Sequence, residues 1–213
     1  MARALRVPPL RETKQLELTV DGQQFRVVHD VGDGTGTPLL LMNGIGAKLE
    51  LLQPFVDLLS PQRDIIRFDV PGVGGSPTAR HPYRLKGLAR KITGILKQLG
   101  FEKADVLGIS WGGGLAQQFA YSESAHCRKL VLVSTATGSI MVPAHPKILA
   151  KMITHRRYTD PDYLESVAHE IYGGTMRHNP TAALTALRQQ STSHNGAGYV
   201  MQLTAGLGWT SVP

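Results

Sequence analysis

The sequence lacks most of the features that mark secreted, metal-binding and membrane-spanning proteins. Its 213 residues contain one cysteine, Cys127, which excludes a disulfide framework, and no group of cysteines and histidines has the spacing of a zinc site. The first ten residues include arginines but no apolar segment, so we expect no signal peptide. No run approaches the roughly 18 consecutive apolar residues of a transmembrane helix. We therefore expect a cytoplasmic protein without a bound metal.

The composition is that of a folded domain, and the charge distribution is not that of a nucleic-acid-binding protein. With 42% hydrophobic and 18% charged residues, the chain is neither disordered nor collagen-like, and it is long enough to bury a sizeable core. Its 23 lysines and arginines exceed its 16 acidic residues, which gives a net charge of +7. These basic residues are scattered rather than gathered along one stripe. We interpret the basic cluster at 84–97 as a solvated helix face and expect no nucleic-acid partner.

The first 140 residues alternate between strand and helix patterns, which is typical of a mainly parallel sheet covered on both faces. A hairpin is predicted at 16–28, around the turn Asp21-Gly22. Four short apolar runs predict buried strands, at 38–42, 64–68, 105–109 and 130–133. Apolar spacings of three and four residues predict a helix at 83–99, and further helices are predicted at 111–121 and, shorter, at 51–59.

After residue 140 the pattern changes to helices and loops without buried strands. Helices are predicted at 147–155, 162–172, 181–190 and 199–207. A helical block that follows a sheet strand predicts a cap lying over the sheet edge. We therefore expect a core at 1–140, a helical cap at 141–207, and the start of a return to the core at 208–213.

The strongest functional signal is the sequence Gly108-Ile109-Ser110-Trp111-Gly112 between a predicted strand and a predicted helix. A serine at such a sharp turn is typical of the nucleophile elbow of α/β-hydrolases, which makes Ser110 the candidate nucleophile. Gly108 and Gly112 are expected where neighbouring side chains would collide. The positive end of the helix then faces the atoms on which negative charge develops during acyl transfer.

The loop that follows the strand at 38–42 predicts the oxyanion hole. In α/β-hydrolases one donor amide comes from this loop and the other from the residue after the nucleophile, so the predicted donors are the amides of Ile45 and Trp111. Many members carry His-Gly in this loop, whereas this chain has Asn43-Gly44. Because the donor is a backbone amide, the difference does not affect the predicted hole.

Together these segments resemble the intracellular poly(3-hydroxyalkanoate) depolymerases of the medium-chain-length type. A third loop, the glycine-rich 69–76, contributes to the likeness and lacks the G-x-G-x-x-G spacing of a dinucleotide site. The matching segments are 43–47, 69–76, 80–84, 110–113, 141–143, 156–158, 171–174 and 205–211. The resemblance implies an α/β-hydrolase fold and hydrolysis of medium-chain 3-hydroxyacyl esters in storage polyester granules. It implies an acyl-serine intermediate and no cofactor.

Several alternatives remain open at this stage. The core motifs alone also fit a generic esterase or a haloperoxidase-like hydrolase. Apolar cap residues would either shape a pocket for the alkyl side chain or form helix-packing core; they are Met141, Ile148, Leu149, Met152, Ile171, Tyr199 and Met201. His81 lies in a loop near the same edge of the sheet, and we interpret it as structural.

The acid and histidine of a catalytic triad have no clear counterparts in the sequence. In this fold they follow the nucleophile, and the resemblance puts both after the cap. We therefore expect a C-terminally truncated form without the last two strands, which would leave the strand at 130–133 as an exposed apolar edge. This chain could then be an inactive granule-binding fragment. Other acids and histidines follow Ser110, and among them Asp162, Glu165 and His169 fall at helical spacing. As cap residues, we expect them to be solvated or locally paired.

Overall fold

Six strands form one mixed, mainly parallel sheet in the computed structural model, which describes residues 12–139, 145–154, 156–172, 174 and 196–212. The strands are β1 (Thr13–Val20), β2 (Gln23–Asp30), β3 (Leu39–Met42), β4 (Ile65–Phe68), β5 (Ala104–Ile109) and β6 (Cys127–Val133). They lie in the order β1-β2-β4-β3-β5-β6. β1, β2 and β4 pair antiparallel, whereas β4, β3, β5 and β6 pair parallel. The predicted α/β fold is confirmed.

The helices follow the predicted order, with differences at their ends. They are α1 (Gln53–Val56), α2 (Leu85–Gln98), α3 (Trp111–Ser122), α4 (Pro146–Ile153), α5 (Arg156–Thr159), α6 (Pro161–Ile171) and α7 (Gly196–Ala205). The predicted helix at 51–59 is instead a 3₁₀ turn, Leu49–Leu52, followed by α1. Pro54 has no N–H to donate to Glu50, so a continuous α-helix is interrupted there. The predicted helix at 181–190 and the predicted core–cap boundary at residue 140 lie outside the described residues.

Helices cover both faces of the sheet. The larger apolar cluster packs α2 and α3 against one face, and it includes Phe25, Leu40, Ile92 and Phe119. The smaller cluster, on the other face, joins β3, β4 and β5 to α1 through residues such as Leu41, Val56 and Ile65. These side chains are almost fully buried, which fixes the register of the central strands.

The parallel strands bring three loops to one edge of the sheet. β3, β4 and β5 run in the same direction, so the segments after Met42, Phe68 and Ile109 start side by side. In open α/β sheets this carboxyl edge is where ligands bind. The fold therefore brings together the three segments that carry the motifs.

β6 lies at the edge of the described sheet and is exposed on both faces. It pairs with β5, and its apolar side chains Leu130 to Val133 are 37% to 46% exposed. The predicted exposed apolar edge is therefore confirmed for the described part of the chain.

Candidate active site

Ser110 adopts a backbone conformation that few non-glycine residues adopt. It joins β5 to α3 with φ 54° and ψ −120°. Such a conformation costs about 1–3 kcal/mol and persists only when the surrounding structure enforces it. Here the Ser110 N–H donates to the Val133 carbonyl at 3.0 Å, and the Ser110 carbonyl accepts from Thr135 Oγ1 at 2.7 Å and from the Gly113 amide at 2.9 Å.

The two glycines of the motif are required by close packing around this turn. A Cβ on Gly108 would overlap the Gly112 carbonyl oxygen, and a Cβ on Gly112 would overlap the carbonyl oxygens of Met42 and Asn43. The helix that begins at Trp111 is therefore pressed against the end of β3. The first helical amide, that of Trp111, has no carbonyl of the helix to donate to, and it belongs to the residue that follows the nucleophile.

The loop after β3 is held by the side chain of Asn43. This buried amide accepts from the Gly44 N–H at 2.8 Å and donates to the Lys48 carbonyl at 3.0 Å. The Ala47 N–H closes the turn by donating to the Gly44 carbonyl at 3.1 Å. A Cβ on Gly44 would lie 3.7 Å from the Ser110 Cβ, so the loop passes directly beside the nucleophile. The sequence predicts that Asn43, in place of histidine, leaves the oxyanion hole intact. In the structure its side chain links the start of the loop to the Lys48 carbonyl.

The glycine-rich loop after β4 is organised around the buried carboxylate of Asp69. Its oxygens accept from the Leu49 amide at 2.8 Å, the Gly75 amide at 2.9 Å and Arg26 Nη1 at 3.2 Å. Burial raises the pKa of Asp69, while the two amides and Arg26 stabilise its charged form. A Cβ on Gly74 would overlap this carboxylate. The loop is thereby tied to the 3₁₀ turn that follows the β3 loop.

Helix α7 contacts all three loops. The side-chain oxygen of Gln202 accepts from the Gly46 N–H at 2.7 Å, and its backbone carbonyl accepts from Trp111 Nε1 at 2.8 Å. Gly198 lies in backbone contact with Gly72 of the glycine-rich loop. Our sequence reasoning did not single out Gln202. The available signal was a lone side-chain amide in the otherwise small and apolar first seven residues of α7.

Comparisons with known proteins agree with this fold. A family model described as the alpha/beta hydrolase fold matches residues 37–196. The chain belongs to the α/β-hydrolase family. It is 48% identical, over 91% of its own length and 68% of the relative's, to a poly(3-hydroxyalkanoate) depolymerase of Ectopseudomonas oleovorans. By family it is an ester hydrolase.

Solved structures share the fold of this hydrolase. A hydrolase from Pseudomonas aeruginosa aligns with a TM-score of 0.72 at 21% identity, over 92% of this chain and 73% of the other. An enol-lactonase from Burkholderia xenovorans aligns with a TM-score of 0.72 at 20% identity, over 92% and 74%. At this identity the likeness extends to the fold alone.

The acids and histidines that follow Ser110 in this hydrolase have local partners or face solvent. Asp160 accepts from the Tyr163 amide at the start of α6, and Glu170 pairs with Lys151. His126 Nδ1 lies 2.6 Å from the Glu102 carbonyl, and His145 accepts from the Lys147 amide at the start of α4. Asp162, Glu165 and His169 are exposed on α6, as expected. In the described ranges no hydrogen bond joins Ser110 Oγ to an acid or a histidine; His155, His178 and His194 lie outside them.

A cavity of about 380 Å³ lies between the β1–β2 turn, Pro71 of the glycine-rich loop, the loop before α2, and α2 itself. His81 lines this cavity, whereas Ser110, Ile45 and Trp111 do not. Within the described residues, no group of three or more histidine, cysteine or acidic side chains could hold a metal ion. None of the described helices combines the length and the apolar character needed to cross a membrane.

Proposed function

We propose that this hydrolase cleaves the ester bonds of medium-chain poly(3-hydroxyalkanoate) through an acyl intermediate on Ser110. The observation that carries the proposal is the strained serine between β5 and α3, in a chain 48% identical to a poly(3-hydroxyalkanoate) depolymerase. Strained backbone of this kind clusters at active sites, where it holds a reacting group in place. The substrate is then the polyester at the surface of a cytoplasmic storage granule.

The proposed reaction has two steps. Ser110 Oγ attacks the ester carbonyl carbon, and a general base takes its proton. The negative charge on the carbonyl oxygen is stabilised by the amides of Ile45 and Trp111. The ester bond breaks, and the rest of the polymer leaves as an alcohol after accepting a proton. Water then attacks the acyl-serine, which releases the 3-hydroxyacid and restores the serine hydroxyl.

The cap supplies apolar surface for the alkyl side chains of the polymer. Ile148, Leu149 and Met152 on α4 are partly exposed, as are Ile171 and Met201. Tyr199 is buried, and its hydroxyl donates to the Ile153 carbonyl at 2.9 Å, so it serves helix packing instead. Met141 lies outside the described residues.

The test compares polymer and small-ester hydrolysis. We expect the wild-type protein to release 3-hydroxyoctanoate from polymer granules, and Ser110→Ala to reduce the rate to background. Ser122→Ala is the matched control, since Ser122 lies on the same helix but at its far end, where its hydroxyl donates to the Gln118 carbonyl. Cleavage of p-nitrophenyl octanoate without release from polymer would contradict the polyester assignment and favour a generic esterase.

A second candidate function is binding to polyester without turnover. It is favoured by one observation: in the described part of the chain, no histidine forms a hydrogen bond with Ser110 Oγ. A fluorophosphonate probe separates the two functions, because it labels only an activated serine. Granule binding with no labelling of Ser110 would support this second function.

A further inference from the structure

We infer that Gln202 is a positioning residue that holds both oxyanion-hole segments in register from the cap helix α7. This inference deepens the proposed function and rests on it. It concerns how the amides of Ile45 and Trp111 keep the spacing needed to share one oxygen.

Gln202 contacts both segments directly. Its Oε1 accepts the Gly46 N–H at 2.7 Å, and the Gly46 nitrogen belongs to the peptide unit that follows Ile45. That bond fixes the orientation of the Ile45–Gly46 peptide, and with it the conformation of the residue that offers the first amide. The backbone carbonyl of Gln202 accepts from the indole of Trp111, the residue that offers the second amide, at 2.8 Å.

The two loops come from different strands, so a shared partner matters. The Ile45 loop follows β3 and Trp111 follows β5, and the two segments touch where Gly112 abuts Met42 and Asn43. A displacement of one loop by a fraction of an ångström would separate the two donors. A single residue bonded to both prevents that displacement, and preorganised donors are the main source of oxyanion stabilisation.

The side-chain amide of Gln202 has one hydrogen-bonded and one unsatisfied polar atom among the described residues. The residue is fully buried, yet within the described residues its Nε2 has no hydrogen-bond partner. An unsatisfied buried donor is unfavourable, and an apolar residue at this position would transfer that cost to the buried Gly46 N–H. The oxygen, in contrast, has a well-formed bond to the Gly46 amide. The residue therefore keeps an unfavourable group for the sake of one contact beside the nucleophile.

The test is Gln202→Met, which keeps the side-chain length and removes the acceptor. The Trp111 bond uses the backbone carbonyl, so α7 should stay docked. We expect phosphonylation of Ser110 by a fluorophosphonate to slow by about 10- to 100-fold, because one donor segment loses its support. With p-nitrophenyl octanoate, kcat should fall while KM changes little. Hydrogen exchange at the Gly46 amide should become faster, and the melting temperature should fall, because the buried Gly46 N–H loses its acceptor.

Gln118→Met is the matched control, because Gln118 is a glutamine whose oxygen accepts from the other tryptophan, Trp209, at 2.9 Å. Its labelling rate should stay within about twofold of wild type, since Gln118 contacts neither donor segment. Should Gln202→Met fail to fold, Gln202→Asn shortens the side chain and withdraws the oxygen from Gly46. It should show the same slow labelling and fast exchange.

The outcomes separate the inference from the function on which it rests. If the wild-type protein is not labelled at all, the proposed function is wrong, while exchange at Gly46 still tests the contact. If the wild type is labelled and either folded Gln202 variant reacts at the same rate, the positioning role is wrong.

Discussion

Gly112 lies where α3 begins, and its Cα faces the carbonyl oxygens of Met42 and Asn43. Gly87, in the first turn of α2, has no atom within 4 Å of the place a Cβ would occupy, apart from its chain neighbours and the backbone of its own helix. The two glycines therefore have opposite consequences for the same substitution.

We expect Gly112→Ala to lower the free energy of unfolding by about 3 kcal/mol or more, because the backbone of α3 must move away from β3. It should also abolish labelling of Ser110. Gly87→Ala should raise the free energy of unfolding by about 0.5–1 kcal/mol, since alanine loses less backbone entropy in a helix. Urea unfolding monitored by circular dichroism measures both, and similar changes in the two variants would contradict the packing described for Gly112.

At this scale the sequence was informative where a motif dictates a backbone shape. Ser110, Gly108 and Gly112 follow from one strand–turn–helix pattern, and the structure gives the serine its positive φ. Gln202 could not be found in this way, because its partners Gly46 and Trp111 are 156 and 91 residues away along the chain. No local pattern encodes a hydrogen bond between a cap helix and two core loops.

Among the secondary-structure elements, β5 and β6 are joined at their N-terminal ends by a carboxylate. Asp105 accepts from Arg128 Nε and Nη2, both at 2.7 Å, and also from Arg63. The hydrogen bonds from Arg128, followed by those from Arg63, hold the pKa of Asp105 below its ordinary value. A carboxyl group with a lowered pKa stabilises the fold above its unfolded-state pKa, and that contribution is lost as the pH falls through its folded-state pKa.

We therefore expect Asp105→Asn to be less stable than wild type at pH 7 and the difference to shrink as the pH falls below about 4. Thermal unfolding between pH 2 and pH 7 measures this difference. Asp57→Asn is the control, since Asp57 is an exposed carboxylate that accepts from Gln53 one turn away on α1. A constant difference across the pH range would show that the ion pairs do not account for the stabilisation.

The elements themselves were predicted best where they are long and periodic. The helix predicted at 83–99 is α2, because its apolar residues repeat at the helical spacing over four turns. The one-turn helix α5 was not predicted, since four residues carry too few apolar positions to show any period. The helix predicted at 51–59 is shorter in the structure and follows a 3₁₀ turn, because Pro54 cannot donate the hydrogen bond that would continue a helix from Glu50.

For the whole molecule, the unusual feature is the exposed β6 strand. Val131 is 46% exposed between apolar neighbours that are also exposed. Native proteins usually cover or charge such an edge, because a bare one pairs with other chains. We expect light scattering of the 213-residue protein to show association that increases with protein concentration.

Val131→Lys should reduce this association, since a charge on the edge strand opposes strand pairing. It should change the free energy of unfolding by less than about 0.5 kcal/mol, because the side chain is already exposed. Leu58→Lys is the control, as Leu58 is 80% exposed but lies outside the sheet. Equal scattering by wild type and Val131→Lys would show that β6 is not the contact.

The overall architecture was predicted because alternation of strands and helices leaves few sheet topologies. The packing of α7 against the glycine-rich loop was not predicted, because it depends on direct contact between two backbones and not on a periodic sequence pattern. Gly72 and Gly198 come from the glycine-rich loop and from α7, and their backbones touch with no side chain between them.

Because of that contact, the space between α7 and the glycine-rich loop is too narrow for even one additional carbon atom. A methyl group at either glycine would push α7 away from the glycine-rich loop. It would thereby move Gln202 away from its hydrogen-bond partners Gly46 and Trp111. Any change that keeps this hydrolase folded while enlarging either residue must therefore be matched by a shift of the whole helix. The two positions therefore constrain each other, although they lie 126 positions apart in the sequence.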